Sequence, residues 1–102
     1  MAAPALRVFL VDDHEMVLQG LIAMLSRFPE QVAVVGTAST PDDALAAVAR
    51  LDPDVVLCDV RLRGSSGLDL CAALIRVHPT RKVVFLTVYD DEQYLYLSLI
   101  HI

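Results

Sequence analysis

The sequence predicts an α/β domain with a doubly wound parallel sheet, and three observations predict it. Val8-Phe9-Leu10-Val11 and Val55-Val56-Leu57-Cys58 are short β-branched and aliphatic runs with no polar residue on either face, as in strands covered on both sides. These runs alternate with amphipathic stretches at helical spacing, the rhythm of βαβ units around a parallel sheet. Acidic residues close two of the runs, Asp12 and Asp13 the first and Asp59 the second. Open α/β sheets bind ligands beyond the carboxyl ends of their strands, so these carboxylates are expected along one edge.

The elements follow in order. A first strand is expected over residues 7–11 and a helix over 15–27, where Val17, Leu18, Leu21, Ile22, Leu25 and Phe28 recur at helical spacing before Pro29. A second strand is expected over 32–38. In Thr40-Pro41-Asp42-Asp43 the threonine suits a cap, the proline the first helical position and the aspartates the positive helix end, which starts a helix running to about residue 51. The third strand, 55–58, delivers Asp59. Arg63-Gly64-Ser65-Ser66-Gly67 reads as a polar loop before a helix over 68–77 that stops near Pro79. A fourth strand, 83–86, ends at Thr87. Right-handed crossovers between such strands place helices on both faces of the sheet.

With 102 residues and 56% apolar content, the chain makes one domain with enough material for a core. No apolar run reaches the roughly 18–20 residues of a membrane span, and Met1-Ala2-Ala3-Pro4 lacks the regions of a signal peptide, so a cytoplasmic location is expected. Net charge of −5 and scattered basic residues argue against direct nucleic-acid binding by this segment. Cys58 and Cys71 are too few and too separated for a zinc framework and read as packing residues. Met16 and Met24 read as core or shoulder residues, and His14, near a helix start, as a solvated side chain.

Three carboxylates at one sheet edge repel one another unless protons or a cation intervene. A hard, oxygen-seeking divalent ion, Mg²⁺, is the simplest counter-charge. The ordered set of Asp12-Asp13 after the first strand, Asp59 after the third with Gly67 eight positions on, and Thr87 after the fourth resembles the receiver domain of two-component response regulators. Pro53-Asp54-Val55-Val56-Leu57-Cys58-Asp59-Val60-Arg61-Leu62 and Leu86-Thr87-Val88-Tyr89-Asp90-Asp91 are similar to the NarL/FixJ branch, whose full-length members append a helix-turn-helix DNA-binding domain. The likeness covers about residues 6–96. It implies the flavodoxin-like receiver fold in a single domain over 1–102, incomplete because a fifth strand and final helix are lacking.

The resemblance also implies a role for each position. Asp59 matches the phosphoacceptor that takes a phosphoryl group from a sensor histidine kinase. Asp12 and Asp13 match the acidic pair that holds Mg²⁺ together with Asp59 and the backbone carbonyl of Arg61. Thr87 matches the hydroxyl that hydrogen-bonds the new phosphoryl oxygen. Tyr89, two places on, reads as a loop aromatic that packs, with a switch role as the alternative. The module is then a switch for transcription rather than a metabolic enzyme, with homodimerisation expected in a full-length protein and no membrane partner. Chemistry agrees, since phosphoryl transfer asks mainly for positioning and charge neutralisation.

Departures from the family pattern shape two further expectations. Leu62-Arg63 stands where Met-Pro is common, and Ser66 where an acidic residue is. The family also carries a lysine at the end of a fifth strand, whereas Lys82 precedes the fourth. From about residue 97 the chain lacks the charged face of a fourth helix and resembles read-through into unrelated sequence, so a longer functional protein is expected. An apolar edge at 83–86 is expected to lie open, making the chain marginal and association-prone. Two other functions stay open. A phosphorylation-independent binding module would share the fold; an aspartyl phosphohydrolase would place its two acids two residues apart, not adjacent as in Asp12-Asp13.

Overall fold

Leu6–Val11 forms the first strand, β1, which takes an interior place in the sheet because its run Val8–Val11 has no polar face. Phe9 and Leu10 point to opposite faces and are both fully buried. The computed structural model describes residues 4–59, 61–62, 65–78, 82–89 and 94–100, with 61–62, 65–68, 86–89 and 94–100 described in backbone only. After β1 come α1 (Glu15–Leu25), β2 (Val32–Ala38), α2 (Pro41–Leu51), β3 (Val55–Asp59), β4 (Arg61–Leu62), β5 (Ser65–Ser66), α3 (Gly67–Val77), β6 (Lys82–Tyr89) and β7 (Tyr94–Ile100). The main sheet has the order β2-β1-β3-β6-β7, and its first four strands are parallel. This is the doubly wound receiver-type arrangement expected from the sequence.

The helices divide between the faces as the crossovers require. On one face Leu18 and Leu21 of α1 pack with Val8 and Leu10. On the other, Ala44 and Val48 of α2 and Leu70, Cys71, Leu74 and Ile75 of α3 join Phe9, Val11, Val56, Cys58, Val83 and Phe85 in the larger cluster. Both cysteines are free and buried there, as expected of packing residues. Thr40 caps α2 by accepting from Asp43 N at 3.2 Å, and Pro41 begins the helix. The helix ends at Asp52 in the left-handed region (φ 48°), whose N–H reaches the Val48 carbonyl. Arg7 ties down the turn that follows: its Nη1 donates to the Asp52 carbonyl at 2.9 Å, and its backbone N–H to Asp54 Oδ2 at 2.8 Å.

Four expectations need correction. The segment where the family pattern calls for a fourth helix, and which was expected to lack that helix's charged face, is the strand β7, antiparallel to β6, with Val83 opposite Ile100 and Tyr89 opposite Tyr94. Only residues 90–93 separate the two strands, far short of the dozen or so residues a parallel crossover needs, so a return strand must run antiparallel. The apolar edge at 83–86 is therefore paired along its length rather than open. Second, the fourth strand does not end at Thr87 but continues to Tyr89. Third, the polar loop after Asp59 contains the two-residue pairing of β4 with β5, Arg61 opposite Ser66 and Leu62 opposite Ser65. Fourth, Met16 is neither core nor shoulder, because at the first turn of α1 it faces solvent, 88% exposed.

Candidate functional site

Register brings the acidic residues together. Val11 of β1 lies beside Cys58 of β3, so the next residue on each strand, Asp12 and Asp59, leaves the sheet at the same edge. Asp12 N extends the β1–β2 ladder by one bond, to the Ala38 carbonyl at 3.1 Å, which fixes its backbone. Asp12 is buried and Asp13 and Asp59 are half-buried. One ligand atom from each of Asp12, Asp13, His14 and Asp59 lies within 4.8 Å of the others.

His14, expected to be a solvated side chain, is 60% exposed and also reaches over the acidic cluster. It occupies the N-cap of α1 with extended backbone (φ −103°, ψ 106°) and makes no side-chain cap bond. Its backbone N–H donates to Asp12 Oδ1 at 2.8 Å, and its ring folds over the same oxygen, with Nδ1 also at 2.8 Å. Nδ1 lies 2.9 Å from Asp13 Oδ1 and 3.7 Å from Asp59 Oδ2, although the side chain is 60% exposed. The bond to Asp12 raises the His14 pKa above 6.5, helped by the charges of Asp13, Asp12 and Asp59 and opposed by desolvation. When protonated, the ring sets positive charge beside the three carboxylates. Adjacency to Asp12-Asp13 was the one sequence signal for it.

The remaining candidates sort by position. Arg61 lies two residues past Asp59 in β4, and Thr87 one residue past Leu86, the register partner of Asp59. The side chains of Thr87 and Tyr89 lie outside the described residues. Lys82 pairs with Val55 at the opposite end of β3 from Asp59. Four residues of strand separate those levels, about 13 Å. Cys58 adjoins Asp59, but its thiol donates to the Asp59 carbonyl at 3.2 Å. Burial, with the Asp59 charge second, pushes that thiol up to about 12, so it is no nucleophile.

The donor set fits a divalent ion. An octahedral ion with bonds of about 2.1 Å spans about 4.2 Å between opposite ligands, so the cluster's 4.8 Å spread needs only a small contraction. Carboxylates are the ligands a hard ion takes.

The sequence profile described as "Response regulator receiver domain" matches residues 8–99. The chain belongs to that family. The receiver domain is 41% identical over 87 residues to "DNA-binding transcriptional activator DevR/DosR" of Mycobacterium tuberculosis, covering 85% of this chain and 40% of that protein. It superposes on the "two-component response regulator, LuxR family" from Aurantimonas sp. SI85-9A1 with a TM-score of 0.77 at 26% identity, covering 84% of this chain and 61% of that one. It also matches the isolated receiver domain of RcsB from Salmonella enterica serovar Typhimurium, solved with the phosphomimetic BeF3⁻, at a TM-score of 0.76 and 26% identity over 84% of this chain and 64% of that one. RcsB has also been solved as dimers bound to DNA, with a TM-score of 0.75 and 25% identity, covering 84% of this chain and 46% of that one. The receiver domain spans about two fifths of the length of the curated relatives it matches. Receiver domains are signalling modules rather than metabolic enzymes. No helix among the described residues is long and apolar enough to cross a membrane.

Proposed function

We propose that this receiver domain accepts a phosphoryl group on Asp59 from a sensor histidine kinase, in a Mg²⁺-dependent way, and so switches a transcriptional regulator. The observation that carries this reading is the convergence of Asp12, Asp13 and Asp59 within one 4.8 Å cluster at the carboxyl edge. An Asp59 carboxylate oxygen bonds to phosphorus as the phosphorus–nitrogen bond of the donor phosphohistidine breaks, and the electron pair leaves with the imidazole. Asp12, Asp13 and Asp59, with the Arg61 carbonyl, would hold Mg²⁺. When bound, the ion neutralises charge on the phosphoryl oxygens. Asp12, nearly buried and pinned by backbone bonds on both sides, keeps its carboxylate in place beside Asp59. Thr87 donates its hydroxyl to a phosphoryl oxygen.

In the cytoplasm the domain acts as the input half of a longer protein. The named relatives support a following DNA-binding domain and a homodimer there, and the charge of −5 supports no DNA contact by this segment. Residues 1–102 then form one domain that is part of a larger chain.

A second reading, a binding module that works without phosphorylation, is favoured by one observation. Lys82, the one lysine of residues 1–102, pairs with Val55 at the opposite end of β3 from Asp59 and so lies far from the place of a phosphoryl group. One experiment separates the two. The protein is incubated with acetyl phosphate and Mg²⁺, and intact mass is compared with that of Asp59→Ala. A single phosphoryl increment in the wild type alone is expected; no increment specific to Asp59 sinks the switch and leaves the binding module.

A further inference from the structure

β2 lies at the edge of the sheet, and its outer side has no strand partner among the described residues. The Ala38 carbonyl turns inward, accepting from Asp12 N at 3.1 Å. By the alternation of a parallel ladder, Thr37 therefore turns its N–H and C=O to the open side. Val32–Ala38 contains none of the charges or prolines that commonly guard such an edge. Beside its carboxyl end runs a groove of about 610 Å³. Thr37, Ala38 and Ser39 line its base, Glu15 and Leu18 of α1 one side, and Asp43, Ala46, Ala47 and Arg50 of α2 the other. Neither the Asp43 carboxylate nor the Arg50 guanidinium makes a hydrogen bond or ion pair among the described residues. The groove thus offers unpaired strand backbone at its base and opposite charges at two points along one wall.

We propose that this groove binds an extended peptide as an added strand on β2, with a basic side chain of the peptide at Asp43 and an acidic one at Arg50. Backbone hydrogen bonds to the open edge supply affinity in such a mode, and alternate side chains supply selectivity. The spacing follows from the helix. Asp43 and Arg50 stand seven positions apart on α2, about 10.5 Å along its axis. A strand rises about 3.4 Å per residue and shows every second side chain to one face, so the peptide's two charges belong about two to four positions apart. Glu15 adds negative charge at the Asp43 end. The small side chains of Ala46 and Ala47 leave room for the peptide between the two charges.

Fluorescence anisotropy with the labelled peptide Thr-Lys-Val-Thr-Val-Glu-Thr tests this in the wild type, Arg50→Glu and Thr37→Pro, with circular dichroism confirming the fold of each. The wild type is expected to bind the probe. Of its two forms N-methylated at alternate residues, the one blocked toward β2 is expected to lose about tenfold or more in affinity and the other to stay within about threefold. Proline at position 37 removes the outward N–H, a change that an edge strand tolerates, and is expected to cost about fivefold. With the probe's glutamate changed to lysine, the wild type is expected to bind about fivefold more weakly, although a protein charge of −5 favours basic peptides in general. Arg50→Glu is expected to reverse that preference. No binding by the wild type, equal losses in both methylated forms, or wild-type preference for the doubly basic peptide would overturn the proposal. So would a concentration-dependent dimer in sedimentation that Thr37→Pro abolishes, which would assign the edge to a second copy of the chain.

Discussion

Phe9 and Gly36 are register partners across β1 and β2, and a Cβ on Gly36 would stand 2.9 Å from Cε2 of the Phe9 ring. The pairing skips a residue here, passing from Val8 opposite Val34 to Phe9 opposite Gly36, so the bulge and the missing side chain admit the ring together. Leu51 Cδ1, at 3.0 Å, can swing aside, but the Phe9 ring is fully buried and cannot. Gly36→Ala is expected to cost about 1–3 kcal/mol through overpacking. A denaturation midpoint equal to wild type would show that the ring has room.

Thr40→Ala removes the oxygen that accepts from Asp43 N at 3.2 Å. At this exposed cap the expected loss is about 1 kcal/mol. Thr40→Ser should recover most of it, a rescue that a pure packing role would not give.

The metal-free protein should lose stability with rising pH through His14. Asp12, then the charges of Asp13 and Asp59, raise its pKa in the fold above 6.5. Over that interval the folded state holds a proton that the unfolded state has released. The contribution is thus fully present below 6.5 and is lost as pH rises through the folded value. With the ring 60% exposed, solvent and salt keep the effect small. Melting temperatures in EDTA across this window should fall more for wild type than for His14→Gln; parallel curves would mean that the ring is uncoupled from the carboxylates.

Cys58 should resist alkylation in the folded protein. Its thiol is buried and raised to about 12, so almost no thiolate exists at pH 8. Iodoacetamide at that pH should label it only after unfolding, as judged by peptide mass spectrometry. Rapid labelling of the native protein would place Cys58 at the surface.

The strands that carry the carboxylates were legible because Val8-Phe9-Leu10-Val11 and Val55-Val56-Leu57-Cys58 leave no polar face, and that requires burial on both sides. Thr40-Pro41 announced α2 equally well, since cap and first-turn chemistry are local. β7 was missed although Leu95, Leu97 and Leu99 alternate with Tyr94, Tyr96 and Ser98 at a strand's period, because the family pattern calls for a helix there and the pairing with β6 depends on a partner in space. The three clustered aspartates followed from strand order alone. His14 did not, because its reach over them is set by the backbone angles of the N-cap, which no spacing of residue types encodes.

The strand order β2-β1-β3-β6-β7 has a consequence for how the molecule breathes. Both strands that deliver carboxylates, β1 and β3, are interior, each bonded to a neighbour on either side, while the edges are β2 and β7. Fraying can begin at an edge without separating Asp12 from Asp59, but no opening of β1 or β3 can occur until a neighbour has let go. Amides of Leu10, Val11, Leu57 and Cys58 should then exchange with solvent only through global unfolding, so the acidic cluster stays assembled through the smaller openings that reach the rest of the sheet first.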